Sequence, residues 1–282
     1  IDSCTDLPYE YIKEHNIPVV NFTYHLKGKD FIDDFFQSMN SKAFYDDVRI
    51  GEMPTTSQVN ADDYIRVFRP FLEEKRPIIY LCFSSALSGS YNSSMIAKDT
   101  LLEEYPEADI TLIDTKAASL GSGLIAWYAI KMLEEGATKG ELIEWVENNK
   151  LKVAHWFTVN DLNHLKRGGR VSGAAAFIGT MLDIKPVLHV DNEGRLIPVT
   201  KVKGRKKSIR ALFEKLRETI VNPDKQVIFI SHGDSLKDAQ YLADLIKASI
   251  DVKEIIINSV GPVIGAHSGP GTIALFFLAD KR

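Results

Sequence analysis

Hydroxyl and imidazole side chains gather in three short stretches of this 282-residue chain. The first is Met53-Pro54-Thr55-Thr56-Ser57-Gln58. The second runs from Ser84 to Asn92 and holds Ser84, Ser85, Ser88 and Ser90. The third, Gly261 to Thr272, sets four glycines and two prolines around His267. Hydroxyls donate to anions, and so do the free N–H groups of a helix start. The second stretch therefore suits an anion, or equally serves as a serine-rich cap that only starts a helix. A histidine on a glycine-rich loop can donate to a carboxylate or act as a base, or simply sit on a tight turn.

Other chemistries find less support. Ser88, Asp114 and His267 follow the Ser…Asp…His order of α/β-hydrolases, so a serine esterase is the alternative reading. Yet Ser88 lies in Ala-Leu-Ser-Gly-Ser, outside the G-x-S-x-G elbow. The seven histidines show no H-E-x-x-H or clustered Cys/His spacing, so neither metal nor cofactor is expected. Phosphate-binding G-x-x-x-x-G-K-[ST] and G-x-G-x-x-G patterns are missing as well. A net charge of −4 argues against a nucleic-acid surface. Lys201, Lys203, Arg205, Lys206, Lys207 and Arg210 form a basic run at a helix start, where cations oppose the dipole. It reads as a solvated face or a partner surface, with Lys166, Arg167 and Arg170 in the same patch.

These groups need elements to hold them. Pro77 to Phe83 is a continuous apolar run, read as a strand buried on both faces. The serine stretch then falls between strand and helix, where open α/β sheets bind ligands. Ile17 to Leu26 is strand-like. Residues 30–49 centre on a helix around Ala43-Phe44-Tyr45, and a helix is expected near 61–75. Asp109 to Asp114 is a second buried strand, followed by two helices to Lys150. After that come strand 153–159, a short helix at Asp161 to Leu165, a hairpin at 187–199, a helix at 206–220, and a further strand–helix–strand unit from 226 to 258. The expectation is two α/β domains, 1–151 with a mostly parallel doubly wound sheet and 152–282 mixed with a β-hairpin. Ala174 to Leu182 is small and apolar, fit to fill a core or cover something apolar. Ile1-Asp2 reads as a strand end, with a few residues expected before it. Ile273 to Ala279 is far short of the roughly 20 residues a spanning helix needs. The two cysteines have no C-x-x-C spacing, so a cytoplasmic setting is expected.

Five motifs in order resemble the DegV family, bacterial fatty-acid-binding proteins that serve as binding subunits of fatty acid kinase. They are Asp2-Ser3-x-Thr5-Asp6-Leu7, Pro54-Thr55-Thr56-Ser57-Gln58, Leu87-Ser88-Gly89-Ser90-Tyr91, Gly168-Gly169-Arg170-Val171-Ser172, and Gly261-Pro262-Val263-x-x-x-His267-x-Gly269-Pro270-Gly271. Val59 departs from the family, which usually has proline after Thr-Ser-Gln. The resemblance implies a carrier without catalysis of its own, holding a long-chain, palmitate-like fatty acid. Its carboxylate contacts carry over to Thr56 and Ser88, with His267 beside the head group. Arg170, Lys203 and Arg205 fall on the face offered to the kinase catalytic subunit. Ala174 to Leu182 becomes the first guess for the tail lining.

Overall fold

Apolar runs and amphipathic stretches alternate, and each finds a layer in which to bury its apolar side. The computed structural model describes residues 1–171 and 183–282. The first half contains α1 (Tyr9–Glu14), β1 (Thr23–Leu26), β2 (Lys29–Ile32), α2 (Ser41–Arg49), β3 (Thr55–Ser57), α3 (Ala61–Glu73) and β4 (Ile78–Cys82). It continues with α4 (Ser90–Glu104), β5 (Ile110–Asp114), α5 (Leu120–Glu134) and α6 (Lys139–Asn149). Then follow β6 (Val153–Thr158), α7 (Asn163–Arg167), β7 (Ile184–Val190), β8 (Leu196–Lys203), α8 (Arg205–Thr219) and β9 (Val227–His232). The chain closes with α9 (Leu236–Lys247), β10 (Glu254–Ser259), α10 (Pro262–Ser268) and β11 (Ile273–Leu278).

Three sheets result. β4 and β5 pair in parallel, while β2-β1-β3 is antiparallel. The third sheet has the order β10-β9-β11-β6-β7-β8, with β9 and β10 parallel and the other pairs antiparallel. β7 and β8 are the expected hairpin. The whole is a mixed α/β fold. Among the described residues, no helix is long and apolar enough to cross a membrane.

α5 sits at the centre. Leu120, Leu124, Ile125 and Trp127 are all buried, and a helix apolar on every side must be covered on every side. It packs on β4 and also on β6, β9 and β11 of the large sheet, so one hydrophobic cluster spans the two halves. Arg282 ties the last residue into this body. Its guanidinium donates to the carbonyls of Val153, Lys116, Asp191 and Lys150.

Four local expectations change. The strand expected over 17–26 begins only at Thr23, because Pro18 lacks an N–H and Val19 to Phe22 run beside Ile1 to Ser3. There Val20 N donates to Ile1 O and Phe22 N to Ser3 Oγ. Residues 29–32 are a strand paired with β1 across a tight turn at Lys27-Gly28. Thr55–Ser57, read as a loop, is an edge strand on β1. The glycine-rich stretch after Gly261 holds a helix, α10, with Pro262 at its first position, where a missing N–H costs nothing.

Gly121 shows how tightly α5 meets the large sheet. A Cβ there would stand 1.9 Å from Nε2 of the fully buried His155 on β6. Both groups are fixed by rigid elements. Gly121→Ala should cost about 1–3 kcal/mol in urea unfolding, as overpacking does. Gly140→Ala in α6 meets nothing within 4 Å and should gain at most about 1 kcal/mol.

Candidate functional site

Three elements remote in sequence carry Thr56, Ser88 and His267; Thr56 and His267 share a hydrogen bond, while Ser88 lines neither of the two depressions beside them. β3 is anchored by its pairing of Thr56 opposite Tyr24. The turn after β4 is closed by Leu87 N and Ser88 N, which both donate to Ser84 O. Ser88 Oγ accepts from Ser90 N at 3.2 Å and shares a 3.0 Å hydrogen bond with Ser90 Oγ. Ser90 Oγ in turn accepts from Val59 N at 3.0 Å, and Gln58 Nε2 donates to Ser93 Oγ at 3.4 Å. The segment after β3 is thereby stitched to the serine turn. A Cβ at Gly89 would stand 2.1 Å from Gln58 Oε1, so the Gln58 side chain lies directly against the turn.

α10 supplies the third group. His267 Nε2 and Thr56 Oγ1 share a 2.8 Å hydrogen bond. The other face of the ring rests on Gly168, where a Cβ would stand 2.1 Å from Nδ1. Burial, and next the charge of Arg170, lower the His267 pKa to about 4. The imidazole is therefore neutral near neutrality and can donate through one nitrogen only. The start of α10 is held by Asp6, whose Oδ1 accepts from Gly261 N at 2.9 Å. Asp6 Oδ2 accepts from Ser119 Oγ at 2.5 Å, and Asp6 O accepts from Asn258 Nδ2 at 2.8 Å. Burial raises this carboxyl to about 7 against those hydrogen bonds.

Two depressions meet at this cluster. One is polar, about 280 Å³, and is lined by Thr56, His164, Arg167, Arg170 and His267 among others. The other is apolar, with Phe83, Leu87, Phe157, Leu165, Leu196 and Phe276 in its wall. Arg170 and His267 line both. The apolar wall includes one face of the large sheet. His155 and Phe157 on β6 stand opposite Phe276 and Ala274 on β11, and Ser231 on β9 stands opposite Ala274. Residues two apart on a strand share a face, so the period of two in His155/Phe157 and Ala274/Phe276 was the available signal. Nothing in the sequence said that this face borders a cavity. A larger cavity, about 600 Å³, lies along β4 beside Ile1 and contains none of the three predicted head-group residues.

The remaining expected residues are placed as follows. Arg170 does not project freely. Its Nε donates to Leu87 O at 3.2 Å and its Nη1 to Gly168 O at 2.5 Å, which puts the cation at the mouth of the cavity. Arg205, unlike the exposed Arg170, is largely withdrawn from solvent. Its Nε donates to Asp238 Oδ2 at 2.8 Å, and both Nη atoms are buried without a partner among the described residues. Lys203, at the end of β8, is exposed. Ala174 to Leu182 and Ser172 lie outside the described residues. No triad forms among Ser88, Asp114 and His267. Asp114 accepts instead from Ser85 Oγ at 2.5 Å and pairs with Lys116 at 2.9 Å. Burial pushes the Asp114 carboxyl up, but these bonds outweigh it and hold it below its ordinary value. No group of acidic, cysteine or histidine residues suited to a metal occurs among the described residues.

A seam between an apolar cavity and a cluster of hydroxyl, imidazole and guanidinium donors has the chemistry to take an anionic amphiphile. The family model described as "Uncharacterised protein, DegV family" matches residues 1–280, and the chain belongs to the DegV family. A DegV domain-containing protein of Clostridium perfringens is 47% identical over 281 residues, covering 100% of this chain and 97% of that one. A Thermus thermophilus structure described as fatty acid binding of a DegV family protein is 31% identical with a TM-score of 0.87. The match covers 99% of this chain and 97% of that one. A Streptococcus pneumoniae structure described as the fatty acid kinase B3 protein loaded with linoleic acid has a TM-score of 0.82. It covers 93% of this chain and 91% of that one, and at 23% identity the likeness is of fold alone.

The lowered pKa of His267 has a consequence for stability. An unfolded histidine takes its proton near 6.5, the folded one only near 4. Between these values the unfolded chain binds more protons, so stability is lost as pH falls. In His267→Gln that loss is absent. The melting temperature of wild type should therefore fall toward that of the variant, and then below it, between pH 6.5 and 4.

Proposed function

We propose that this protein binds one long-chain fatty acid, sequesters the tail in the apolar cavity and holds the carboxylate at Thr56, Ser88 and His267. The observation that carries the reading is the shared position of Arg170 and His267 on both the apolar and the polar depression. An acyl tail of about 14 methylenes releases roughly 11 kcal/mol on leaving water, at ~0.8 each. Association and ordering take back much of that. The tail thus supplies the affinity, and the head-group donors fix which end faces out. Arg170 adds a cation beside the carboxylate rather than on a remote docking face, which fits its bonds to Leu87 and Gly168.

The carboxylate end faces the polar depression, where a second protein can reach it. A fatty acid kinase catalytic subunit is the partner this reading names, with this chain as carrier and the chemistry done by the kinase. The exposed Lys203 supports a docking role for the basic run; Arg205, paired with Asp238, supports it less. The reading also includes a cytoplasmic setting and a division into units 1–151 and 152–282. The latter is supported by sheet membership, since every strand of the large sheet starts at Val153 or later.

Mass spectrometry of an organic extract of the purified protein should yield one fatty acid per chain. Thr56→Val and Ser88→Ala should each weaken fatty-acid binding by roughly 1.5–3 kcal/mol, the range for a hydrogen bond to a charged group. Wild-type affinity in the double variant removes the head-group assignment. For the partner, Lys203→Glu should slow acyl phosphate formation by a fatty acid kinase catalytic subunit and reduce its salt dependence. Unchanged rates at every ionic strength remove Lys203 from the docking surface and leave the carrier reading standing.

A further inference from the structure

The wall of the apolar cavity contains hydroxyls that the carboxylate site does not use. Ser119, Ser231 and Ser268 all line it. Their hydrogen bonds can be counted. Ser119 Oγ donates its one proton to Asp6 Oδ2 at 2.5 Å. In its 3.2 Å contact with Ser231 Oγ it must then be the acceptor, with Ser231 the donor. This chain of hydroxyls ends on Ser231, whose lone pairs receive no donor among the described residues. Ser268 presents the complementary lack. Its Oγ is buried and has no hydrogen-bond partner among the described residues.

A buried hydroxyl with no partner is a standing cost, and native structures rarely keep one without a use. The backbone adds an independent observation. Ser119 is held at φ 52°, ψ −146°, a conformation that side-chain-bearing residues rarely adopt. Strain of this kind persists where the surroundings over-determine it, and here it aims the Ser119 hydroxyl at both Asp6 and Ser231. An acceptor and a donor are thus left open in a wall that is otherwise largely apolar.

We propose that the cavity accepts an acyl chain bearing a hydroxyl group along its tail, which accepts from Ser268 and donates to Ser231. One ligand hydroxyl satisfies both open groups, which a plain methylene chain cannot do. The inference rests on the fatty-acid reading and narrows its ligand to a class. An ordered water is the competing occupant, since it offers the same donor and acceptor. With water there, a hydroxylated chain has no advantage.

The test is competition against a fluorescent fatty acid at about pH 8.5, where the Asp6 carboxyl is ionised and the hydroxyl chain points as described. The competitors are octadecanoate and hydroxyoctadecanoates with the hydroxyl moved along the chain. At one position the hydroxylated chain should bind about ten-fold tighter than octadecanoate, as two modest hydrogen bonds allow. Ser231→Ala with Ser268→Ala should remove that preference. Ser268→Ala alone, which deletes only an unpartnered hydroxyl, should reduce it. Equal or weaker binding at every position overturns the proposal, as does a preference that survives the double variant. Failure of octadecanoate and all its hydroxylated forms to bind overturns the fatty-acid reading, and this proposal with it.

Discussion

The carboxylate of Asp6 joins parts of the chain that are otherwise far apart. It accepts from Gly261 N at the head of α10 and from Ser119 Oγ at the head of α5. It thereby links the helix that carries His267 to the strained turn in the cavity wall. The bond is made where water is scarce, and burial, with the charge of Asp2 adding to it, raises the acid to about 7. Asp33 is close by and its carboxyl is raised further, by burial first and by Asp6 next. A Cβ on Gly261 would collide with Asp6 Oδ1, so glycine is the residue that lets the backbone reach the carboxylate.

The carrier function, as proposed, follows from where polarity changes. A cavity lined by Phe157, Leu165 and Phe276 gives affinity without orientation, since apolar contact has no direction. Hydroxyl, imidazole and guanidinium groups give orientation at one end. Their neutral or tethered state matters. His267 is uncharged near neutrality, and Arg170 is held by two carbonyls, so the carboxylate meets fixed dipoles and one fixed cation rather than mobile charge. The hydroxyl line from Asp6 through Ser119 to Ser231 repeats this logic inside the cavity with neutral groups.

Much of the element order was legible in the sequence. The buried run before Ser84, the amphipathic helices α3, α8 and α9, and the hairpin β7–β8 have periods that a window of ten residues reveals. So do the three clusters of hydroxyl and histidine residues, because loops and helix starts collect such side chains. The five motifs in order identified the family, and the hydrogen bond between Thr56 and His267 joins two of the motifs in space. What misled was short-range: three hydroxyl residues at Thr55–Ser57 look like a loop but form an edge strand, and the glycines around His267 hide a two-turn helix. Each is stabilised by a partner from elsewhere in the chain, β1 for the strand and Asp6 for the helix.

By itself, then, the sequence determined the α/β alternation, the family and the identity of the polar residues, because these rest on local pattern and composition. Tertiary structure decided which of them meet. It tied the exposed Arg170 to Leu87 O and Gly168 O, and it gave Arg205 to Asp238 instead of to solvent. It also denied Asp114 to His267 by offering Ser85 and Lys116 first. The physical reason is common to Arg205 and Asp114, both largely buried. A charged side chain near the interior takes whatever partner the packed backbone places within about 3 Å, since leaving it unpaired costs more than any preference written in the local sequence.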